Sequence, residues 1–220
     1  MSAAKAGDFS WTGSVKKGGE IKLSNVSGNV EVVPGKGDTV RVEAKISGRD
    51  ADITKVVVKE RGDSVKIHTE FARKRNVEAR VDYRIEVPPG VDFDASVVAG
   101  NIDAKGINGA LELEAVSGNI NASGSGDVQI TTVSGDATVS LPRGTRRAML
   151  EAVSGSLEVA VPSFLGLDLA AKSLNGKIDS ELKHERTQQL VGSSVRISRG
   201  DRAATVRMET VSGRIRIQNG

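Results

Sequence analysis

Ala115-Val116-Ser117-Gly118-Asn119-Ile120 is one instance of a phrase that returns along the chain, and its recurrence decides the fold. Before it stand Asn25-Val26-Ser27-Gly28-Asn29-Val30 and Val97-Val98-Ala99-Gly100-Asn101-Ile102. After it come Thr132-Val133-Ser134-Gly135-Asp136-Ala137, Ala152-Val153-Ser154-Gly155-Ser156-Leu157, Ser173-Leu174-Asn175-Gly176-Lys177-Ile178 and Thr210-Val211-Ser212-Gly213-Arg214-Ile215. From Gly100 to Gly176 the glycines are 18, 17, 20 and 21 residues apart. The 37 residues from Gly176 to Gly213 read as two such steps, and the 72 from Gly28 to Gly100 as four steps of 18.

Aligned on these glycines, three columns are apolar throughout. Seven residues before stand Ile21, Phe93, Leu111, Val128, Ala148, Leu169 and Val206. Five before stand Leu23, Ala95, Leu113, Ile130, Leu150, Ala171 and Met208, and two after stand Val30, Ile102, Ile120, Ala137, Leu157, Ile178 and Ile215. Mostly polar residues lie between them, which is the period-two pattern of strands with one buried face. The apolar residue two before each glycine (Val26, Val98, Val116, Val133, Val153, Leu174 and Val211) breaks the alternation and reads as a corner about the core. The turn glycines Gly28, Gly100, Gly118, Gly135, Gly155, Gly176 and Gly213 then mark a bend that needs a positive φ or no side chain facing the next coil.

A unit of strand, corner, strand and return loop cannot bury its own apolar face, but stacked units can. The expected fold is therefore all-β: a single-stranded, right-handed parallel β-helix with coils of about 17–21 residues and a less regular N-terminal section. An antiparallel sandwich with Ser-Gly hairpin turns fits the alternation too, but one phrase repeated in one register favours the solenoid. Residues 1–8 read as a disordered N-terminus or remnant, and 9–220 as one solenoid domain with irregular or wider coils over 33–92 and regular coils over 93–220. Lys183 to Ser194 reads as a polar insertion with room for a helical turn. Phe9 and Trp11 are candidates to cap the first coil, whereas the last phrase stops so near the C-terminus that its coil looks uncovered.

Composition narrows the chemistry. The 220 residues hold no Cys, which excludes disulfides and Cys-ligated metal, and aromatics are only 3%, so the core is aliphatic. The 31 basic and 28 acidic side chains are mixed along most of the chain. No run is long enough to span a membrane as a helix, and no leader is visible in Met1–Gly7.

The repeated phrase resembles the DUF4097 family of bacterial putative adhesins. So do Tyr83-Arg84-Ile85-Glu86-Val87-Pro88-Pro89-Gly90 running into Val91-Asp92-Phe93, and the opening Phe9-Ser10-Trp11-Thr12-Gly13. The resemblance implies a β-helical fold in an extracytoplasmic or cell-envelope setting, with no agreed ligand or catalytic residue to carry over. Such families often carry an export signal, so a cytoplasmic setting stays open for the sequence as given.

No catalytic site, metal site or cofactor is expected. His68 and His184 are far apart and read as surface residues, and no phosphate loop, HExxH or GxSxG is present. A serine repeated in every coil is a turn residue, not a nucleophile. Asp92, Asp94, Asp103, Glu112 and Glu114 are the acids that a β-helical carbohydrate-active enzyme would use, and they read as solvated surface. The one lopsided charge feature is C-terminal: Arg196, Arg199, Arg202, Arg207, Arg214 and Arg216 against Asp201 and Glu209. Arg207, Arg214 and Arg216 point outward in the aligned register, as a basic stripe for a polyanion or as a charged end cap. One Trp and one Tyr argue against nucleic acid. The expected role is a non-catalytic envelope or cell-surface protein that presents polar faces to a glycan, polyanion or protein, with a structural or signalling scaffold that self-associates through uncovered coil ends as the alternative and a carbohydrate-active enzyme of β-helix type as the second.

Overall fold

The computed structural model describes residues 7–71, 77–183, 185–188 (backbone only) and 192–220. Along the chain the strands are β1 (Asp8–Ser14), β2 (Glu20–Ser27), β3 (Val30–Pro34), β4 (Thr39–Gly48), β5 (Thr54–Arg61), β6 (Ser64–Phe71) and β7 (Ala79–Val87). The repeats follow as β8 (Asp92–Ala99) and β9 (Ile102–Ile107), β10 (Leu111–Ser117) and β11 (Ile120–Gly124), β12 (Val128–Ser134) and β13 (Ala137–Ser140), then β14 (Arg147–Ser154) and β15 (Leu157–Val161). The last are β16 (Leu167–Ser173), β17 (Ile178–Ser180), β18 (Glu185–Gln188), β19 (Ser193–Arg199), β20 (Ala204–Ser212) and β21 (Ile215–Asn219). One 3-10 turn, Ala51–Ile53, precedes β5.

Each glycine phrase joins a strand of one sheet to a strand of the other. Sheet I runs β1-β4-β7-β3-β9-β11-β13-β15-β21-β17, and sheet II runs β18-β19-β16-β20-β14-β12-β10-β8-β2-β6-β5. From β6 to β16 in sheet II and from β7 to β17 in sheet I every pairing is parallel. The aliphatic columns stack as the alignment requires: Leu111 pairs with Val128, and Val128 with Ala148. They form one buried core from Val15 to Ile217 between the two sheets.

The sheets are nevertheless mixed, so a purely parallel β-helix is too simple. Antiparallel strands flank the parallel stack: β1 and β4 on sheet I and β5 on sheet II at one end, β19 and β18 on sheet II at the other. Phe9 and Trp11 pack against the core from edge strand β1, which begins at Asp8, inside the segment read as disordered. Lys183–Ser194 holds strand β18 and no helical turn among its described residues.

The 72-residue gap holds one further parallel coil, β6–β7, plus antiparallel strands, instead of four regular steps. The 37-residue gap is an excursion through the β18–β19 hairpin, after which β20–β21 inserts between β14–β15 and β16–β17. The C-terminal coil is therefore covered on both sides.

The glycine column has a steric cause. A Cβ on Gly118 would run into the carbonyl oxygen of Gly100, and one on Gly135 into that of Gly118, while Gly118 also has φ +140°. Beside it runs a side-chain ladder. The backbone N–H of Asn101 donates to Asn29 Oδ1 (3.1 Å), that of Asn119 to Asn101 Oδ1 (2.9 Å) and that of Asp136 to Asn119 Oδ1 (3.0 Å). Ser156 N–H donates in turn to Asp136 Oδ1 at 2.7 Å. A corner leaves N–H groups outside the sheet ladders, and an Asn or Asp one coil away satisfies them.

The column two before glycine is not a corner about the core. Inward positions continue to three before glycine, where Asn25, Val97, Ala115, Thr132, Ala152, Ser173 and Thr210 are all buried. Val26, Val98, Val116, Val133, Val153, Val211 and Leu174 therefore lie on the outer face of sheet II, each 45–51% exposed.

Candidate functional site

The candidate acids are divided between the two sheets, and several are tied into hydrogen bonds or ion pairs. Asp92 Oδ1 accepts the Ala110 N–H at 2.7 Å, a coil-to-coil link. Asp94 accepts from Lys22 Nζ at 3.2 Å, and that lysine also bonds Glu20; hydrogen bonds to Glu20 and then Asp94 hold its pKa above the ordinary lysine value. Glu112 pairs in register with Asp94 on β8, and Asp92, Asp94 and Glu112 line a shallow 300 Å³ hollow with Glu20 and Asp127. Glu114 accepts from Ser96 Oγ at 3.0 Å, and Asp103 lies on sheet I, paired with Lys105 at 2.8 Å. His68 bonds Glu70 at 2.9 Å, and His184 lies outside the described residues. No cluster of three or more metal-ligating His, Asp or Glu exists among the described residues.

The three arginines of the expected stripe do not share a face. Arg216 is on sheet I, with Glu158 at 3.8 Å, and Arg214, at the corner, faces Asp179 at 3.5 Å. Arg207 is on sheet II. There the pairing of β16 with β19 and β20 places Ala170 between Arg196 and Arg207. A cleft of about 450 Å³ opens over Ala170, lined also by Asp168, Lys172, Ser198, Arg202 and Glu209. Arg199, from the same basic run, instead fastens the chain: its guanidinium donates to the carbonyls of Pro162 (2.6 Å) and Leu165 (3.0 Å).

Next to this cleft lies the valine ridge. At one residue per strand and about 4.8 Å per strand, its seven side chains extend roughly 29 Å. Its C-terminal part, Val153, Val211 and Leu174, borders a groove of about 470 Å³ that shares Lys172 and Glu209 with the basic cleft. Sheet II thus presents an apolar line and a cationic hollow side by side. The seven residues of the ridge are adjacent in the strand order, and their phase with the outward positions four and six before glycine was the sequence signal that they face solvent.

Comparison with one solved structure agrees with this architecture. A structure described as a putative cell adhesion protein from Clostridium sporogenes superposes with a TM-score of 0.54 at 11% identity, over 97% of this chain and 100% of that one. A putative adhesin from Bacteroides fragilis gives a TM-score of 0.45 at 11% identity over 96% of each chain. A comparison with curated proteins finds no match. At this identity the first likeness speaks to the fold alone. The Toastrack DUF4097 family profile, by contrast, matches residues 4–218, and the chain belongs to that family.

Proposed function

We propose that this protein is a non-catalytic binding scaffold of the cell envelope whose outer face on sheet II engages an extended partner. The observation that carries the reading is the valine ridge. All seven ridge residues are apolar, yet each stands 45–51% exposed on the outer face of the sheet. Continuous apolar surface on a polar sheet is characteristic of interaction sites. The name of the Clostridium sporogenes structure, a putative cell adhesion protein, supports a surface role. On the same reading the coil is right-handed, as parallel crossovers prefer, and residues 9–220 act as one rigid unit.

The test is retention of isolated envelope glycans and envelope fractions on immobilised protein, for the wild type and for Val116→Glu/Val153→Glu. The wild type should retain material that the double variant loses, with the fold intact by circular dichroism. Equal retention by both, or none by the wild type, would sink the reading.

A further inference from the structure

We propose that the cleft over Ala170 binds the anionic groups of an acidic polysaccharide through Arg196, Arg202 and Arg207. The proposal rests on the binding role above and names the ligand class of that face.

Position comes first. Arg196 and Arg207 flank Ala170 on the two neighbouring strands, so their Cα atoms are two strand spacings, roughly 9.6 Å, apart. The methyl group of Ala170 leaves the space between them open, and Arg202 lines the same cleft.

Charge comes second. Arg80, Arg84, Arg214 and Arg216 each lie against a carboxylate. Arg196, Arg202 and Arg207 form no ion pair among the described residues, although Asp168 and Glu209 line the same cleft and Glu209 faces Lys172 at 3.8 Å. Guanidinium groups that line one hollow with no ion pair among the described residues suit an oxyanion from outside.

Backbone conformation comes third. Arg202, with φ +55°, is the only non-glycine residue in the left-handed region among the described residues. The turn that carries it is anchored by Arg199 on Pro162 and Leu165, and Asp201 Oδ1 accepts the Ala203 N–H at 3.2 Å. Glycine would fit this position better, so the turn holds an arginine at the cleft against local preference, a pattern typical of functional positions.

The rim selects the polymer. Asp168 and Glu209 would repel a continuous phosphate backbone or an anionic membrane, yet their carboxylates, like the hydroxyls of Ser198 and Thr205, can accept hydrogen bonds from sugar hydroxyls. Among the described residues no aromatic side chain lines the cleft, so they offer single-stranded nucleic acid no stacking platform. A glycan with both hydroxyl and anionic groups satisfies the whole rim, and its apolar ring faces can continue over Val211 and Leu174.

The test uses the full chain with dextran sulfate, polygalacturonate, neutral dextran and oligothymidylate. The wild type should bind one or both acidic polysaccharides, more weakly as salt is raised, and not neutral dextran. Which of the two binds separates a sulfate from a carboxylate ligand. Arg196→Ala/Arg207→Ala should weaken binding about tenfold or more. Arg202→Gly should weaken it while the melting temperature holds or rises, an outcome that a merely structural Arg202 would not give. Binding to neither acidic polymer, unchanged binding in the variants, or tighter binding to oligothymidylate would overturn the site. Loss of envelope retention in the ridge variant but not in the arginine variants would overturn it while leaving the binding role intact.

Discussion

The four middle coils, Asp92 to Val161, lie in parallel in chain order, each resting on the one before. The coils at either end are built differently. At each end one coil is inserted between a neighbour and the stack, β2–β3 inside β6–β7 and β20–β21 inside β16–β17, and antiparallel strands follow on both sheets at the N-terminal end and on sheet II at the C-terminal end. The middle is held by repetition, aliphatic on aliphatic and glycine on carbonyl. The ends add specific polar contacts to their aliphatic packing. In the N-terminal one, Asn25 Nδ2 donates to the Val81 carbonyl at 2.9 Å, Thr69 donates to Asn25 Oδ1 at 3.1 Å, and Thr69 meets the Tyr83 hydroxyl at 2.7 Å. A repeating parallel coil exposes an unpaired edge wherever it stops. The ends therefore need what the repeat cannot provide.

Glycine substitutions should expose this contrast most sharply. Gly118→Ala in the middle meets both the Gly100 carbonyl and an unfavourable φ, and backbone cannot retreat as a side chain can. We expect a loss of about 4 kcal/mol or more, or no folded protein, by urea denaturation. Gly62→Ala in the β5–β6 turn has φ +62° but open space around its Cβ position, and should cost only about 1 kcal/mol. Similar losses at both sites would break the distinction between stacked corners and free turns.

The middle was legible in the sequence because its chemistry is periodic: the columns at Leu111, Leu113 and Ile120 declare a buried face, and the glycines declare where it bends. The ends were not, because the phrase at Thr210–Ile215 looks like the next step along the axis, and nothing local says that β20–β21 enters a gap left open by β16–β17. The valine column was misread for a related reason. Four of the seven inward residues beside it, Asn25, Thr132, Ser173 and Thr210, are polar but buried, which hid the true phase of the strand. Of the basic site, Arg207 was recognised as outward. Its partners Arg196 and Arg202 meet it only through the antiparallel pairing of β19 with β16, and the bend at Gly213 sends Arg214 and Arg216 away from it.

A core truncation sharpens the comparison at intermediate size. Leu113→Ala removes a fully buried side chain between two parallel neighbours and should cost about 2–4 kcal/mol. Val58→Ala, on edge strand β5 and only partly buried, should cost about 1 kcal/mol or less. If Val58→Ala proves the costlier, the antiparallel ends carry more of the stability than their packing indicates.

Alkaline pH should probe the N-terminal end by itself. Burial pushes the Tyr83 hydroxyl up to about 12 from its ordinary 10.0, although its bond to Thr69 works the other way. Tyrosine ionises near 10 in the unfolded chain but stays protonated in the folded one, so between pH 10 and 12 the unfolded state binds fewer protons and stability falls as pH rises. A shift of this size corresponds to about 2–3 kcal/mol, fully present below pH 10 and gone above pH 12. Lysines titrate in the same range, so the quantity to measure is the difference in urea stability between wild type and Tyr83→Phe at pH 9 and pH 11.5. Tyr83→Phe loses the contact with Thr69 and should be the less stable at pH 9, and the gap should close or invert by pH 11.5. Amide exchange should quicken first in β6 and β7, where the polar network lies, while β10 and β12 keep their protection. A pH-independent gap would mean that the Tyr83 hydroxyl ionises as freely in the fold as outside it, and that the end coil is sealed by its aliphatic neighbours alone.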